Sequence, residues 1–238
     1  MIRNVCIRTW SGALALTLVA LAAPGALAQS FCSSDGQTQP ASVLERFINA
    51  DCEACWGSGD DQPRSNELAL DWILPGSKGG DAPLSAAASS EALARLEALH
   101  RPAPTASDSA RRIVQAPKRG LRVSHGLPFN GYIGTSIELK LPTPGAWSAW
   151  LLLVETIPGG ADGTSVERNL VRNALQLSWG GSRPLSRDEL RRLFETRPMS
   201  IPEGAKPDRL RVVGWVEDTQ GRMRAIAQSR CAWAAPGG

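Results

Sequence analysis

The stretch VLERFINADCEACWGSG, Val43 to Gly59, sets two cysteines three residues apart at the end of an apolar run. Val43, Leu44, Phe47 and Ile48 fit a short strand about as well as a helical turn, since two apolar pairs this close satisfy either period. Gly57, Gly59 and Pro63 then limit any helix that begins at Cys52 to a short or interrupted one. Cys52 and Cys55 could form a redox dithiol, half of a metal site, or the ends of separate structural bridges. The free N–H groups of a helix start would favour a thiolate. Glu53 works against it, and no Lys, Arg or His adjoins the pair. A redox pair of this composition is expected to be a weaker oxidant than one with histidine in its loop. For a metal the ligand set is thin, because the only histidines are His100 and His125 and a zinc site wants four Cys or His ligands. A two-thiolate site for a soft ion such as Cu(I) stays open. Trp56, where a c-type haem motif needs histidine, excludes that cofactor, and no cofactor or resident metal is assigned.

Outward from this stretch, the start of the chain carries Arg3 and Arg8, the apolar run Gly12 to Ala23, and Ala26-Leu27-Ala28. This is the pattern of a secretory signal peptide over 1–28, too short for a spanning helix. No later stretch is long and apolar enough to span a bilayer, and Leu27 to Cys32 makes a poor lipoprotein site. The expectation is a periplasmic or secreted protein with no stable membrane anchor. Cleavage would remove two arginines and no acid from a formal charge of +3, leaving a near-neutral chain that is unsuited to nucleic acid. It would also leave four cysteines, Cys32, Cys52, Cys55 and Cys231, an even number for a compartment where disulfides persist. Three pairings are possible. A Cys32–Cys231 bridge, which would close nearly the whole chain and leave Cys52 to Cys55, is preferred on loop entropy. Bridges from Cys52 and Cys55 to the terminal cysteines remain open.

Leu68 to Leu74 (LALDWIL) reads as a second buried strand and Leu84 to His100 as the clearest helix, with Leu93, Leu96 and Leu99 near one face. From Leu121 the runs are short and β-like: Leu121–Ser124, Tyr132–Leu141, Ala146–Thr156, Val166–Leu177, Leu210–Glu217 and Met223–Cys231. Asp218 to Gly221 suggests a hairpin between the last two. Ser186 and Glu189 form a capping box that predicts a helix over SRDELRRLF. The fold class expected is α/β plus all-β: an α/β half over 29–120 and a β-sandwich-like half over 121–238. His125, in VSHGLPFNGYIG, is expected to be a loop histidine satisfied by backbone, with no triad partner recognisable by spacing. Arg168 and Arg172 would share one strand face, either a solvated, salt-bridged one with Glu155 and Glu167 nearby or a surface for an anionic ligand or a partner. Trp179, Trp215 and Trp233 are expected to pack in the core or at its edge.

FINADCEAC, with Phe47, Asn49, Cys52 and Cys55 in matching places, resembles the F-T-S-x-x-C-x-x-C motif of a family of bacterial secreted thioredoxin-like proteins of unknown function. VERNLVRNAL (Val166–Leu175) and RLRVVGWVEDTQGRMRAIAQ (Arg209–Gln228) are similar to that family's late strands. The resemblance implies a thioredoxin-like N-terminal half joined to a β-rich C-terminal half. It also implies divergence: Trp56-Gly57-Ser58-Gly59 stands where the family has Pro-Pro-Ala-Asp and a regular helix, and Pro128 is its nearest counterpart to the family's threonine-proline loop.

Two functions of different class follow. One is a thiol–disulfide oxidoreductase acting on protein thiols or disulfides, with Cys52 attacking and Cys55 resolving. The other is a non-catalytic envelope protein that binds a partner through its β-rich half, with all four cysteines structural.

Overall fold

The computed structural model describes residues 32–117, 119–180 and 184–231. The expected signal peptide and Trp233 lie outside them. Among the described residues no helix is long and apolar enough to cross a membrane.

The chain runs β1 (Cys32–Ser33), β2 (Ser42–Asn49), α1 (Glu53–Gly57), β3 (Glu67–Leu74), α2 (Ser90–Ala98), β4 (Ser107–Ile113), β5 (Leu121–His125), β6 (Tyr132–Lys140), β7 (Trp147–Ile157), β8 (Arg168–Trp179), β9 (Arg192–Ser200), β10 (Leu210–Glu217), β11 (Met223–Gln228) and β12 (Arg230–Cys231). A seven-stranded sheet has the order β11-β10-β7-β8-β3-β2-β4, and a five-stranded one β12-β1-β5-β6-β9. The larger sheet takes strands from both sides of residue 120. β2 lies between β3, its parallel partner, and β4, which is antiparallel. The two-period alternative at Val43 is thus resolved as strand, because pairing on both edges satisfies its backbone and buries both of its faces.

Those two faces are covered differently. Val43, Phe47, Leu70, Trp72, Leu152 and Val213 build one cluster under α2, with Phe47, Trp72, Trp150 and Trp215 in successive ring contact. On the opposite face the five-stranded sheet packs over β7, β10 and β11 through Val123, Ile137, Leu151 and Val212. The same face, continued across β8, β3 and β2, carries α1 through Trp56, Ile48, Ile73 and Leu170. Where the sheets approach closest, Gly214 on β10 lies under β5 and β6; a Cβ there would sit 2.8 Å from Val123 Cγ1.

Several expectations need correction. The Leu84–His100 helix is only Ser90–Ala98, preceded by a 3-10 turn at Ser85–Ala87. Ser89 caps it, accepting the Ala92 N–H. Its buried face is Ala92, Arg95 and Leu96, while Leu93 is exposed, because the face is set by Arg95 reaching into the sheet. At SRDELRRLF the capping box forms, Ser186 N–H to Glu189 and Glu189 N–H to Ser186. One turn later the chain becomes β9, which pairs with β6 along nine positions: ladder bonds replace the helix that local spacing favours. β4 and β9 are sheet-edge strands whose polar and charged residues give no strand pattern in the sequence. Pro198 is tolerated in β9 because an edge strand can spare one N–H.

Candidate functional site

Asp71 and Arg46 are buried in β3 and β2, and Arg168 at the start of β8 is 1% exposed. Arg46 and Asp71 are register partners on parallel strands, and among the described residues Asp71 with Leu170 is the one register pair between β3 and β8. Charges buried this deeply must be paired. Asp71 Oδ2 accepts from Arg46 Nη2 at 2.9 Å and Oδ1 from Arg168 Nη1 at 3.0 Å. Arg46 Nε also lies 2.8 Å from Oδ1, without the alignment of a hydrogen bond. Oδ2 further accepts the Asn169 backbone N–H at 2.9 Å, and the Asn169 amide donates to the Ala69 carbonyl at 3.0 Å. Asp71 and Asn169 therefore stitch β3 to β8 where backbone pairing is sparse.

Arg168 turns the rest of its guanidinium toward α1. Nη2 donates to the carbonyls of Cys55 (3.2 Å), Trp56 (2.9 Å) and Ser58. A five-residue helix leaves such carbonyls without intrahelical N–H partners, and the Ser58 hydroxyl also donates to that of Cys55 at 3.2 Å. The guanidinium also lies over the Trp56 ring at 5.4 Å, and the indole N–H donates to the Asp162 carbonyl at 2.8 Å. Burial draws the Arg168 pKa below its ordinary value and Asp71 opposes the shift. The solvated Arg168–Arg172 face expected from spacing is thus a buried one at Arg168. The two arginines also separate in role. A bulge opposite Leu153–Val154 interrupts the alternation, and half-buried Arg172 pairs with buried Glu155 at 2.7 Å instead.

Cys52 and Cys55 are both half-buried and joined to each other, at the end of β2 and across the first turn of α1. Cys55 packs on the Trp56 cluster. It also borders a polar cleft of about 230 Å³ whose lining includes Arg46, Ile48, Ser58, Asp61, Ser109 and Arg168. Ser109 on β4 donates to Asp61 Oδ2 at 2.6 Å, and Arg46 Nη1 to the Asp61 carbonyl at 3.4 Å. The Ser109 bond, first in weight, holds the Asp61 carboxyl below the usual range, with Arg111 and Arg46 adding to it. The sequence shows no cation beside the cysteines. The fold supplies two, Arg46 from β2 itself and Arg168 from a strand 113 positions beyond Cys55. The signal that could have found them is charge within apolar strands: Arg46 in VLERFIN and Asp71 in LALDWIL each demand a buried counter-charge.

A second buried ion cluster lies on the other face of the sheet. Arg95 of α2 forms a two-bond pair with Glu45 (2.7 Å each) and lies 4.7 and 4.9 Å over the rings of Trp150 and Trp215. Burial lowers its pKa, but Glu45 and Glu217 outweigh that and hold it above the ordinary value.

Cys32 and Cys231 form the second disulfide, 199 positions apart. His125 is no loop residue: it ends β5, is 4% exposed and faces Cys32 in register. His100 is exposed, remote from both disulfides in sequence, at the turn after α2. Compared with models of known protein families and with curated proteins, the chain matches none.

Proposed function

We propose that the chain is an exported, thioredoxin-like thiol–disulfide oxidoreductase whose working pair is Cys52–Cys55. The observation that carries the proposal is the setting of that pair: a half-exposed disulfide at the rim of a polar cleft, with a buried guanidinium bonded to the carbonyl of Cys55. The thioredoxin-like assignment draws support from chain order. β2, α1, β3, α2 and β4 follow one another, β2 is flanked by parallel β3 and antiparallel β4, the cysteines lie on the turn from β2 into α1, and the two helices cover opposite faces. Export is supported by the leader pattern and by two disulfides, which persist in oxidising compartments.

In the oxidised state a thiolate of a substrate protein attacks Cys52 Sγ. The S–S bond breaks and Cys55 leaves as a thiolate. A second substrate thiolate attacks the substrate's own sulfur in the mixed disulfide and expels Cys52. The substrate gains a disulfide and the pair gains two electrons; run backward, the same steps reduce a substrate disulfide. Arg168 is a positioning residue: it anchors the carbonyls around Cys55, and its charge favours the departing Cys55 thiolate.

The test is trapping with oxidised glutathione. Cys55→Ser should accumulate a mixed disulfide on Cys52, while Cys52→Ser, left with the inner sulfur that packs on the Trp56 cluster, should form its adduct more slowly. Equal rates, or no adduct on either folded variant, would overturn the proposal and favour a structural bridge.

A further inference from the structure

Cys231, Cys32 and His125 stand in one row across β12, β1 and β5, each directly opposite the next in antiparallel register. Directly opposed residues project to the same face. The two sulfurs and an imidazole nitrogen all lie within 4.8 Å of one another. Nδ1 of His125 is 2.9 Å from the Gly126 carbonyl oxygen, a contact that requires the proton on Nδ1. The lone pair of the neutral ring is then on Nε2, and among the described residues buried Nε2 has no hydrogen-bond partner. An imidazole whose Nδ1–H is fixed by a carbonyl is set up to ligate through Nε2. With the disulfide closed, no described residue donates to that lone pair, and leaving a buried polar atom unpaired is costly.

We propose that, when Cys32–Cys231 is opened, Cys32, Cys231 and His125 form a site for a thiophilic ion of the Zn(II) or Cu(I) class, which replaces the disulfide as the clasp between β1 and β12. A dithiol reductant supplies the two electrons: its thiols become a disulfide as the protein's disulfide becomes two thiols. The ion then displaces one proton from each thiol, and neutral His125 gives up none. Two thiolates and an imidazole make three ligands, and a fourth position is open to water. Zn–S bonds of about 2.3 Å need sulfurs roughly 3.8 Å apart in tetrahedral geometry. β1 and β12 are two-residue strands joined by two register pairs, so a small shift of either provides the space. The ion binds only the reduced state, so by linkage it also makes the bond harder to re-form. The site is independent of the exchange role of Cys52–Cys55 and stands if that role fails.

The experiment uses the Cys6→Ser/Cys52→Ser/Cys55→Ser variant, which leaves Cys32 and Cys231 as the only cysteines that can ligate. The protein is reduced with dithiothreitol, freed of it under argon and titrated with Co²⁺. One equivalent should bind with thiolate-to-cobalt absorption in the near ultraviolet and tetrahedral bands in the visible, Zn²⁺ should displace it, and the oxidised protein should show neither. His125→Gln should weaken binding at least about tenfold. No charge-transfer absorption, equal binding by the oxidised protein, or unchanged affinity in His125→Gln would overturn the proposal. Should His125→Gln fail to fold, ¹⁵N spectra of the His125 protein decide: with two histidines in the chain, Zn²⁺ should move Nε2 of His125 and leave His100 unchanged. Unmoved imidazole resonances, or a reduced protein that stays unfolded with Zn²⁺, would overturn it as well.

Discussion

Cys32–Cys231 spans 199 positions and clasps two terminal strands over a buried histidine, whereas Cys52–Cys55 spans three and lies at the rim of a charged cleft. The first closes a loop that the unfolded chain would leave widely open, so its worth is mainly to stability. The second constrains almost nothing that β2 and α1 do not already constrain. A short bond kept half-exposed beside buried cations is what the proposed exchange role requires. The same contrast appears in the two ion clusters: Arg95 has two carboxylates, Glu45 and Glu217, and is walled in by tryptophans, while Arg46 and Arg168 share Asp71 and border the cleft.

The sharpest separation should come from deleting each bond. Cys32→Ser/Cys231→Ser should lower stability by about 5 kcal/mol on loop entropy, measured by urea unfolding of the oxidised protein. Next, Asp71→Asn should cost about 3 to 5 kcal/mol in the same assay, since it leaves two buried guanidiniums without their shared carboxylate. It should also ease reduction of Cys52–Cys55 and leave Cys32–Cys231 unaffected; a loss below about 1 kcal/mol would show that the cluster is hydrated in solution. Cys52→Ser/Cys55→Ser should cost about 2 kcal/mol or less, and a loss as large as that of the terminal pair would erase the distinction drawn between the two bonds.

The smallest effect concerns pH. Burial lowers the His125 pKa, and its bond to the Gly126 carbonyl only partly offsets this. The unfolded state therefore takes up the proton first: the contribution is complete above the ordinary value of about 6.5 and is lost as pH falls from there toward the folded value. Urea midpoints between pH 8 and pH 5 should fall more in the parent than in His125→Gln. Parallel curves would mean that the ring is not buried.

Much of the β half was legible because its strands are apolar runs between turn residues, and the Asp218–Gly221 hairpin has its own local chemistry, with Gly221 at φ 70 closing it. The terminal bridge could be preferred on cysteine number and position. The site was less legible. Arg168 looked like a surface residue because its partner Asp71 lies 97 positions away, and no local period reports a parallel pairing between β3 and β8. The edge strands β4 and β9 escaped because edge strands carry polar and charged side chains, and the sequence from Ser186 onward has strong helical features that only pairing with β6 overrides. Gly126 and Pro128 give His125 the local pattern of a loop residue, though it is the last residue of a buried strand.

The most direct test is a redox titration of the purified oxidised protein, with differential alkylation and mass spectrometry to assign each bond. Cys52–Cys55 should reduce reversibly in the range of exchange catalysts, about −120 to −270 mV, while Cys32–Cys231 stays closed to below about −300 mV. Reduction of both bonds together, or of Cys52–Cys55 only on unfolding, would contradict the proposed division between a working bond and a clasp.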